Sequence, residues 1–392
     1  MTVKSGSFGD LASIKCSIAG KDVSEAVISI NVFQDITQPG WTAEIGLLDT
    51  ASAIADMKLR GGEDVSISLQ TSQGFDTDGI VNLKLVVNEI ADNVMQGQGM
   101  QSYVVRCCHK ALHKSQETKL CKAWQTKKTI DMIREIAQEM GIEIGDKNPK
   151  KARPHASMSS GGTRLPADSQ GEYNFIAAQM TPLNAIGLLL RSTSFKGNYD
   201  FVFHQKSDDG KIFDCQSLSI MWDRPLVTKF VMRPNFIKKN GNYEHNKNLE
   251  FSHFVHDPFN HAENIVSGLH DASPVSFELT RKKWRGNASA AAVQFRPLHE
   301  QIYQSGKSTI DDFMTAWKGR REQIFKANQS LLKIQCPGQV TSFQWLGEPC
   351  EIDVPDSSDG TCSYSGKYMI VAIGHMITRD AYYCNYELAR GW

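Results

Sequence analysis

The chain has 392 residues, 41% apolar and 22% charged, which is typical of a soluble globular protein large enough for two or more domains. Lysine plus arginine total 43 and aspartate plus glutamate total 43, so the formal net charge at pH 7 is zero. This balance gives no electrostatic reason to expect tight binding to nucleic acid or to a membrane surface.

The N-terminal sequence and the cysteines indicate a reducing compartment. MTVKSGSFGD lacks the apolar core of a signal peptide, and no apolar run approaches the roughly 20 residues that span a bilayer. The nine cysteines include no CxxC pair, and the adjacent Cys107 and Cys108 are poorly placed to bridge each other. We therefore expect a soluble protein with buried, reduced thiols.

Residues 1–112 have the pattern of an all-β unit. Strand-like segments are separated by turn signals: AVISINVF and TAEIGLL around Pro39-Gly40, DVSISLQ before GFDTDG, and VNLKLVVNEI and MQSYVVRCC around NVMQGQG. Short strands with frequent turns predict a first domain at 1–112 that is a small β-barrel or sandwich.

Helical patterns distinguish residues 113–222, which we interpret as an α/β middle domain. KKTIDMIREIAQEMG has one apolar helical face, with Thr129 as the expected N-cap and Gly141 as the expected C′ residue. Residues 146–171 are rich in Pro, Gly and Ser and are predicted to form a loop.

A second helix and a hairpin complete this middle domain. TPLNAIGLLLR begins with Thr181 as the predicted cap and Pro182 in the first turn. YDFVFHQ and KIFDCQ, on either side of Asp209-Gly210, predict a β-hairpin.

Strand patterns return after residue 223 and are interrupted once. LVTKFVMR, LEFSHFVH and LLKIQ predict strands, as does the remaining C-terminal sequence, and we assign 223–260 and 325–392 to a second β-barrel domain. The intervening residues 261–324 are predicted to be an insertion. It contains the strand-like PVSFELTRKKW and a long helix with a capping box at Ser308 and Asp311.

A glycine–glutamate turn occurs in each predicted β-domain. Gly62-Glu63 in RGGEDVSISL and Gly347-Glu348 in WLGEPCEIDV each precede a strand whose inward positions fall five and seven residues after the glycine. A turn-rich gap and a hairpin follow in both cases. We interpret the two segments as related β-domains in one chain, an arrangement that suits quasi-symmetric assembly.

The C-terminal segments LLKIQCPG, LGEPCEIDV and SGKYMIVAIGHMITRDAYYCNYELAR resemble one known family. They are similar to the last part of the baseplate hub proteins of contractile-tailed bacteriophages, whose relatives form the first portion of type VI secretion spike proteins. The resemblance lies in the Gly347-Glu348 turn, an apolar strand that reaches His375, and a return strand with Tyr383. In layout, it extends over nearly the whole chain.

This resemblance implies an α+β, mainly antiparallel fold with two small β-barrels and the function of a structural hub. A homotrimer would form a pseudo-sixfold ring that joins the hexameric tail tube to the trimeric central spike and leaves a channel for DNA. The chain stops at Trp392 without continuing into a spike, so we expect the spike to be a separate polypeptide.

The same resemblance implies partners and a location. The expected partners are a central spike protein, a tail tube or tube-initiator protein, and neighbouring baseplate wedge proteins. DNA would pass through the lumen without specific binding, and no cofactor, metal or membrane is expected. The location would be the virion tail baseplate, after assembly in the host cytoplasm.

His375 has two interpretations, a catalytic base or a buried position in a sheet. It follows Ile370, Val371 and Ile373 in a strand whose alternation buries one face. A general base needs a nucleophile or a water within hydrogen-bond reach, and the sequence has neither a GxSxG nor an HExxH motif. We favour the buried position, with a particle-associated cell-wall hydrolase as the alternative function.

Two other clusters could be read as reactive sites. His253, His256 and His261 could hold a metal with Asp257 or Glu263, but strand positions 253 and 256 face opposite sides. Cys107 or Cys108 with His109 could form a thiol–imidazole pair, although cysteines at the end of an apolar strand are more typically buried and inert.

The remaining motifs have simpler explanations. TRKKWRG (280–286) could follow a nucleic-acid backbone, but one short basic run in a neutral chain favours a solvated surface or a subunit contact. DTDG (76–79) and DSSDG (356–360) lack the glutamate that closes a calcium loop, so turns explain them. A carbohydrate-binding β-protein is a third possible class, which the helical middle disfavours.

Overall fold

The computed structural model describes residues 11–49, 55–71, 80–95, 100–145, 168–195, 200–232, 249–256, 276–278, 283–285, 331–354, 364–379 and 381–390. Over these residues the chain is mainly antiparallel β-sheet with a smaller helical part, as predicted. None of the helices in these ranges has the length and the apolar character that crossing a bilayer requires.

The N-terminal strands alternate buried and exposed side chains, as expected for a sheet with one face on a core. In three places adjacent strands form antiparallel pairs across turns that the sequence predicts, β3 with β4, β5 with β6 and β6 with β7. The strands of this part are β1 (Leu11–Ile18), β2 (Lys21–Asp22), β3 (Val27–Asp35), β4 (Thr42–Asp49), β5 (Asp64–Thr71), β6 (Ile80–Met95) and β7 (Gln101–Cys108).

The middle of the chain has its own apolar core, formed by helices and short strands. The predicted hairpin is present as the antiparallel pair β11 and β12, and β8 pairs antiparallel with β10. The elements are α1 (Lys110–Glu117), β8 (Leu120–Lys127), α2 (Thr129–Glu139), β9 (Glu143–Ile144), β10 (Tyr173–Met180), α3 (Pro182–Ser192), β11 (Phe201–Gln205), β12 (Ile212–Ser217) and α4 (Leu218–Trp222).

The predicted N-cap of α2 is wrong by one residue. Lys128 has the extended conformation of a cap, with φ −64° and ψ 141°, and Thr129 is the first helical residue and fully buried. The distant Ser169 hydroxyl accepts a hydrogen bond from the Ile130 N–H at 3.2 Å, so another part of the chain serves the helix end. Gly141, with φ +79°, is the C′ residue as predicted.

The C-terminal strands differ in two places from the sequence-based prediction. LEFSHFVH forms two strands, β14 and β15, interrupted at Ser252 and His253, and PVSFELTRKKW contributes to two strands, β16 and β17, that pair antiparallel. The strands are β13 (Lys229–Met232), β14 (Leu249–Phe251), β15 (Phe254–His256), β16 (Ser276–Glu278), β17 (Lys283–Arg285), β18 (Leu331–Pro337), β19 (Pro349–Asp353), β20 (Gly366–Thr378) and β21 (Tyr382–Ala389).

Some predicted features lie outside the described residues. They are the long helix that begins at Ser308, most of the loop at 146–171, the two aspartate–glycine turns at 76–79 and 356–360, and the side chains of Asp257, His261 and Glu263.

A single sheet joins strands from both ends of the chain. Its order over the described residues is β14-β13-β19-β20-β3-β4-β7-β6-β5-β1-β2, with β21 on the other edge of β20, followed by β18 and β15. This order is open, without a closed barrel among the described strands. One apolar core lies against it and includes Ile30 and Ile45 from the first part and Ile377 and Tyr386 from the last.

Candidate functional site

The first glycine–glutamate turn closes onto the middle of β6. Gly62 donates its backbone N–H to the Val87 carbonyl at 2.7 Å, and the Val87 N–H is donated to the Glu63 carbonyl at 2.9 Å. Gly62 has φ +86°, a left-handed conformation that glycine adopts without steric cost. The turn therefore fixes where β5 begins to pair with β6.

The second turn makes the same pair of hydrogen bonds with β20. Gly347 donates its N–H to the Ile370 carbonyl at 2.9 Å, and the Ile370 N–H is donated to the Glu348 carbonyl at 3.1 Å. The φ of Gly347 is +73°. Gly62 and Gly347 thus have corresponding positions, and so do Val87 and Ile370.

A β-bulge follows Val87 in β6 and Ile370 in β20, the two residues that the glycine–glutamate turns contact. The pairing of β6 with β7 shifts register between Val87 and Glu89, and that of β20 with β21 shifts between Ile370 and Ala372. A bulge bends a strand and increases its twist, so β6 and β20 both change direction just beyond the residue that pairs with the turn.

The correspondence extends through the neighbouring strands. In the first unit β5 pairs with β6, β6 with β7, β7 with β4, and β4 with β3. In the second unit β19 pairs with β20, β20 with β21, β21 with β18, and β18 with β15. All eight pairings are antiparallel, and the corresponding strands follow one another in the same order along the chain, with β16 and β17 added between β15 and β18 in the second unit.

The two turn glutamates have different surroundings. The Glu63 carboxylate accepts the backbone N–H groups of Arg60 at 2.7 Å and Gly61 at 2.9 Å. Partial burial opposes its charge, but these hydrogen bonds outweigh that cost and hold the pKa of Glu63 below its ordinary value. Glu63 therefore stabilises its own turn.

Glu348 belongs to a buried cluster of charges. Its side chain is 1% exposed and lies 2.6 Å from the Lys206 ammonium and 3.2 Å from the Arg224 guanidinium. Arg224 also contacts Asp214 at 2.7 Å. Burial alone would raise the pKa of the Asp214 carboxyl, but the Arg224 charge holds that pKa well below its usual range. This cluster ties the second turn to the middle of the chain.

The two related units meet through strands β3 and β20. Residues Ala372–Thr378 of β20 pair antiparallel with Ser29–Asp35 of β3, on the edge of β20 that faces away from β21. The Ile36 N–H extends the ladder by donating to the Val371 carbonyl at 2.9 Å. The junction is thus a continuous stretch of sheet.

His375 lies at this junction and is fully buried. Its Nε2 lies 3.3 Å from the Gln34 side-chain oxygen, which can only accept, so Nε2 carries the proton in that contact. Its Nδ1 lies 2.8 Å from the Tyr382 hydroxyl and 3.3 Å from the Cys384 thiol, either of which can donate. The imidazole also stacks on Phe343 at 3.7 Å between ring centroids.

These surroundings keep His375 neutral. Burial disfavours the charged imidazolium and lowers the pKa of His375 to about 3. A base with both nitrogens engaged and no exposed surface has no room for a substrate, so the geometry fits the buried position better than the catalytic one.

Tyr383, the tyrosine singled out in the sequence, is 47% exposed on the return strand. The tyrosine that contacts His375 is its neighbour Tyr382, whose hydroxyl also lies 2.9 Å from the Gln339 carbonyl, so its one proton serves only one of these two acceptors. Alternation places neighbouring strand residues on opposite faces, so only one of the pair can point into the core.

The structure describes two of the three histidines of the possible metal cluster. His253 lies between β14 and β15 and is exposed, with its Nδ1 3.0 Å from the Ser252 hydroxyl, whereas His256 ends β15 with its ring 5.6 Å from that of Tyr364. Within the described part of the chain no group of three metal-ligating side chains occurs.

His109 serves as a helix cap beside the adjacent cysteines. Its Nδ1 accepts the Ala111 N–H at 3.1 Å at the start of α1, and its Nε2 lies 2.8 Å from the Gly210 carbonyl. Burial lowers the pKa of His109 to about 4 and raises the thiol pKa of both Cys107 and Cys108. These groups are poorly suited to thiol chemistry.

No family model matches the sequence, and no curated protein matches it. Among solved structures, the chain is similar to the 43 kDa tail protein of prophage MuSo2 from Shewanella oneidensis, with a TM-score of 0.57 and 9% identity over 96% of this chain and 98% of that one. It is also similar to the tail protein from Neisseria meningitidis MC58, with a TM-score of 0.54 and 9% identity over 96% of each chain.

A third similar structure is an Escherichia coli component of the type VI secretion system, c3393, with 9% identity over 98% of this chain and 76% of that one. Its TM-score of 0.47 is too low to support an inference. The two tail proteins show that this chain has a phage tail protein fold over nearly its whole length, as the family resemblance of the C-terminal segment predicts.

Proposed function

We propose that the chain is a structural, non-enzymatic subunit of a contractile phage tail, acting as the baseplate hub. Three copies would form a pseudo-sixfold ring that adapts the hexameric tail tube to the trimeric central spike and leaves a channel through which DNA passes. The observation that carries the proposal is the duplicated unit around Gly62 and Gly347, within a chain that has the fold of tail proteins.

The duplication gives the proposal its geometry. A chain that carries two similar units presents six similar units when three copies assemble, so one face of the ring can match sixfold symmetry and the other threefold symmetry. The continuous strand pairing between the two units in one chain supports a rigid ring, because a shared sheet resists bending between its parts.

We further propose the following division of the chain. Residues 1–112 form the first barrel-like domain, 113–222 the middle domain, and 223–260 with 325–392 the second barrel-like domain, with 261–324 inserted into it. The separate apolar core of the middle elements supports the middle domain, although β11 and α4 also touch the larger core through Val202, Leu218 and Met221.

The proposed partners are a central spike protein, a tail tube or tube-initiator protein and neighbouring baseplate wedge proteins. The proposed location is the virion baseplate, reached after assembly in the host cytoplasm. The neutral net charge supports a lumen that lets DNA pass without holding it.

The cell-wall hydrolase alternative depends on His375 as a base, and the burial and contacts of that residue disfavour it. Replacing His375 with Gln separates the two functions. A soluble, assembled variant without peptidoglycan hydrolysis, beside a wild-type chain that hydrolyses it, would favour the enzyme and contradict our proposal. Loss of stability, with no hydrolysis by either protein, would favour the structural role.

The direct test is the assembly state of the purified chain. We expect native mass spectrometry to give three times the chain mass of 43.7 kDa. In the structure of that trimer, each interface should bury more than about 2,000 Å², as in permanent complexes. Electron microscopy down the symmetry axis should show a threefold particle with six similar lobes. A monomer at every concentration, with or without tube and spike proteins, would overturn the proposal.

A further inference from the structure

The junction between the two units is the pairing of β3 with β20. It joins an edge strand of the first unit to the end of a long strand of the second. The edge strand is β3, which pairs with β4 on one side, and the extension is the part of β20 beyond its bulge. Strand β19, which follows the second glycine–glutamate turn, pairs with β20 only from Gly366 to Met369. Strand β3 therefore occupies the same edge of β20 further along. Each unit should therefore contain an equivalent edge and an equivalent extension.

The equivalent extension in the first unit is the end of β6. The turn strand β5 covers Ile80–Val86 on one edge of β6, while β7 pairs with the other edge as far as Met95. Among the described residues, no strand lies beside Glu89–Met95 on the β5 edge. Val94, within this stretch, is 52% exposed although it is a β-branched apolar residue.

The equivalent edge in the second unit is β15. It pairs with β18 in the same way that β3 pairs with β4, and no second strand pairs with β15 within the described part of the chain. Val255 at its centre is 54% exposed. An open edge with an apolar side chain is a template for another strand.

The ladders fix which residues correspond. Counting along the partner strands β7 and β21, Asn93, Val94 and Met95 of β6 correspond to His375, Met376 and Ile377 of β20. The β6 residues lie one position further along their own strand because β6 has a second register shift, between Ile90 and Asp92, that β20 lacks. Counting across β4 and β18, the three residues of β15 correspond to Ile30, Asn31 and Val32 of β3. Within the chain, Ile30 lies opposite Ile377, Asn31 opposite Met376, and Val32 opposite His375.

We propose that a second copy of this chain completes both edges, so that β15 of one copy pairs antiparallel with the end of β6 in the next. The register is that of the internal junction: Phe254 opposite Met95, Val255 opposite Val94, and His256 opposite Asn93. The inference rests on the proposed function, because it specifies the contact through which hub subunits join.

This contact is head-to-tail, since each copy offers two different surfaces. A head-to-tail interface generates a closed ring or an open filament, and the proposed hub requires closure after three copies. The internal junction and the new contact would then alternate around the ring, covering both the β15 edge and the β6 extension.

The test is a cysteine pair at the central position of the register, with Cys121→Ser as background because Cys121 is an exposed cysteine. Directly opposed residues of an antiparallel pair have Cβ atoms about 5 Å apart, so mild oxidation should bridge V94C to V255C between copies. We expect the double variant to give covalent dimers and trimers on a denaturing gel. A mixture of the two single variants should give covalent dimers only.

The controls use the same positions. Neither single variant alone should gain a bridge, because 94 faces 255 and not another 94. Ile90, which is 39% exposed, lies three ladder positions before Val94 because of the register shift between Ile90 and Asp92, or about 10 Å along the strand, so I90C with V255C should fail to bridge.

The outcomes separate this inference from the proposed function. A trimer that bridges at I90C but not at V94C, or at neither, would overturn the register while leaving the hub intact. A chain that stays monomeric under all conditions would overturn both.

Discussion

Lys206 and Glu348 form an ion pair of 2.6 Å that joins the end of the middle hairpin to the second glycine–glutamate turn. Arg224 reaches the same carboxylate at 3.2 Å and Asp214 at 2.7 Å, so two cations and two anions neutralise one another in a buried site. Breaking such a cluster by removing one member leaves an uncompensated buried charge. The turn is thereby coupled to the middle of the chain.

We expect Glu348→Gln to lower the free energy of unfolding by about 3–5 kcal/mol, the range for breaking a buried ion pair. The matched control is Glu63→Gln at the corresponding position, which removes a hydrogen-bonded carboxylate from a more exposed turn and should cost only about 1 kcal/mol. Urea unfolding at pH 7 measures both. Equal losses of unfolding free energy in the two variants would show that the buried cluster contributes no more to stability than the more exposed turn carboxylate.

The two turn glycines should also differ in their tolerance of alanine. Gly62→Ala meets only ordinary contacts and should cost about 1–2 kcal/mol because of its positive φ. Gly347→Ala should cost more, because its Cβ would lie 2.1 Å from the Met221 methyl group in addition to the same backbone strain.

A double-mutant cycle isolates that clash. Introducing Gly347→Ala into a Met221→Ala background should cost less than introducing it into the natural chain, as measured by urea unfolding. If the two costs are the same, contact with Met221 does not explain the sensitivity of this turn.

Buried histidines should make stability fall in mild acid. Burial lowers the pKa of His375 to about 3 and those of His109 and His204 to about 4, against 6.5 for an ordinary histidine. Between pH 6.5 and these values the unfolded chain binds protons that the folded chain does not, so stability is present above pH 6.5 and is lost as the pH falls. Each histidine contributes up to about 1.4 kcal/mol per pH unit.

His375→Gln should therefore reduce the slope of unfolding free energy against pH, between about pH 4 and 6, by roughly 1.4 kcal/mol per unit. Ile373→Val, in the same buried strand, provides the control, since it should lower stability without removing a titratable group and so leave the slope unchanged. A slope that is the same in the natural chain and in His375→Gln would mean that His375 is protonated in the folded protein.

Most of the described thiols should be inert in the folded protein. Seven of these cysteines are buried, and burial raises the pKa of Cys16 to about 12, whereas Cys121 is exposed. We expect a thiol reagent at pH 8 to label Cys121 rapidly and the seven buried cysteines only after unfolding in urea, with mass spectrometry of peptides to identify each site. Rapid labelling of Cys336 or Cys384 without urea would contradict the packing around the junction.

Local pairings could be predicted from the sequence, because turn signals and alternation act over a few residues. The hairpins β3–β4, β6–β7 and β11–β12 follow from such patterns. The contact between Gln34 and His375 joins residues 341 positions apart, and no local pattern states which edge of β20 accepts β3.

The charge cluster was missed for a related reason. Glutamate, lysine, arginine and aspartate are usually exposed, so Glu348 could be read as a turn residue but not as a buried ion-pair partner. Similarly, the burial of β8 does not alternate, and its sequence LCKAWQTK has no strand signature. Where tertiary contacts decide the environment, the local sequence carries little of the information.

The pairing of β3 with β20 has a consequence for biosynthesis. At about 5–20 residues per second, the ribosome needs roughly 20–70 seconds to make the 341 residues that separate Gln34 from His375. During that interval the nascent first unit presents an uncovered strand to every other chain nearby, which invites misassembly. This period ends when β20 has been synthesised and pairs with β3. The rate of translation would therefore set the earliest time at which a copy can assemble correctly with other copies.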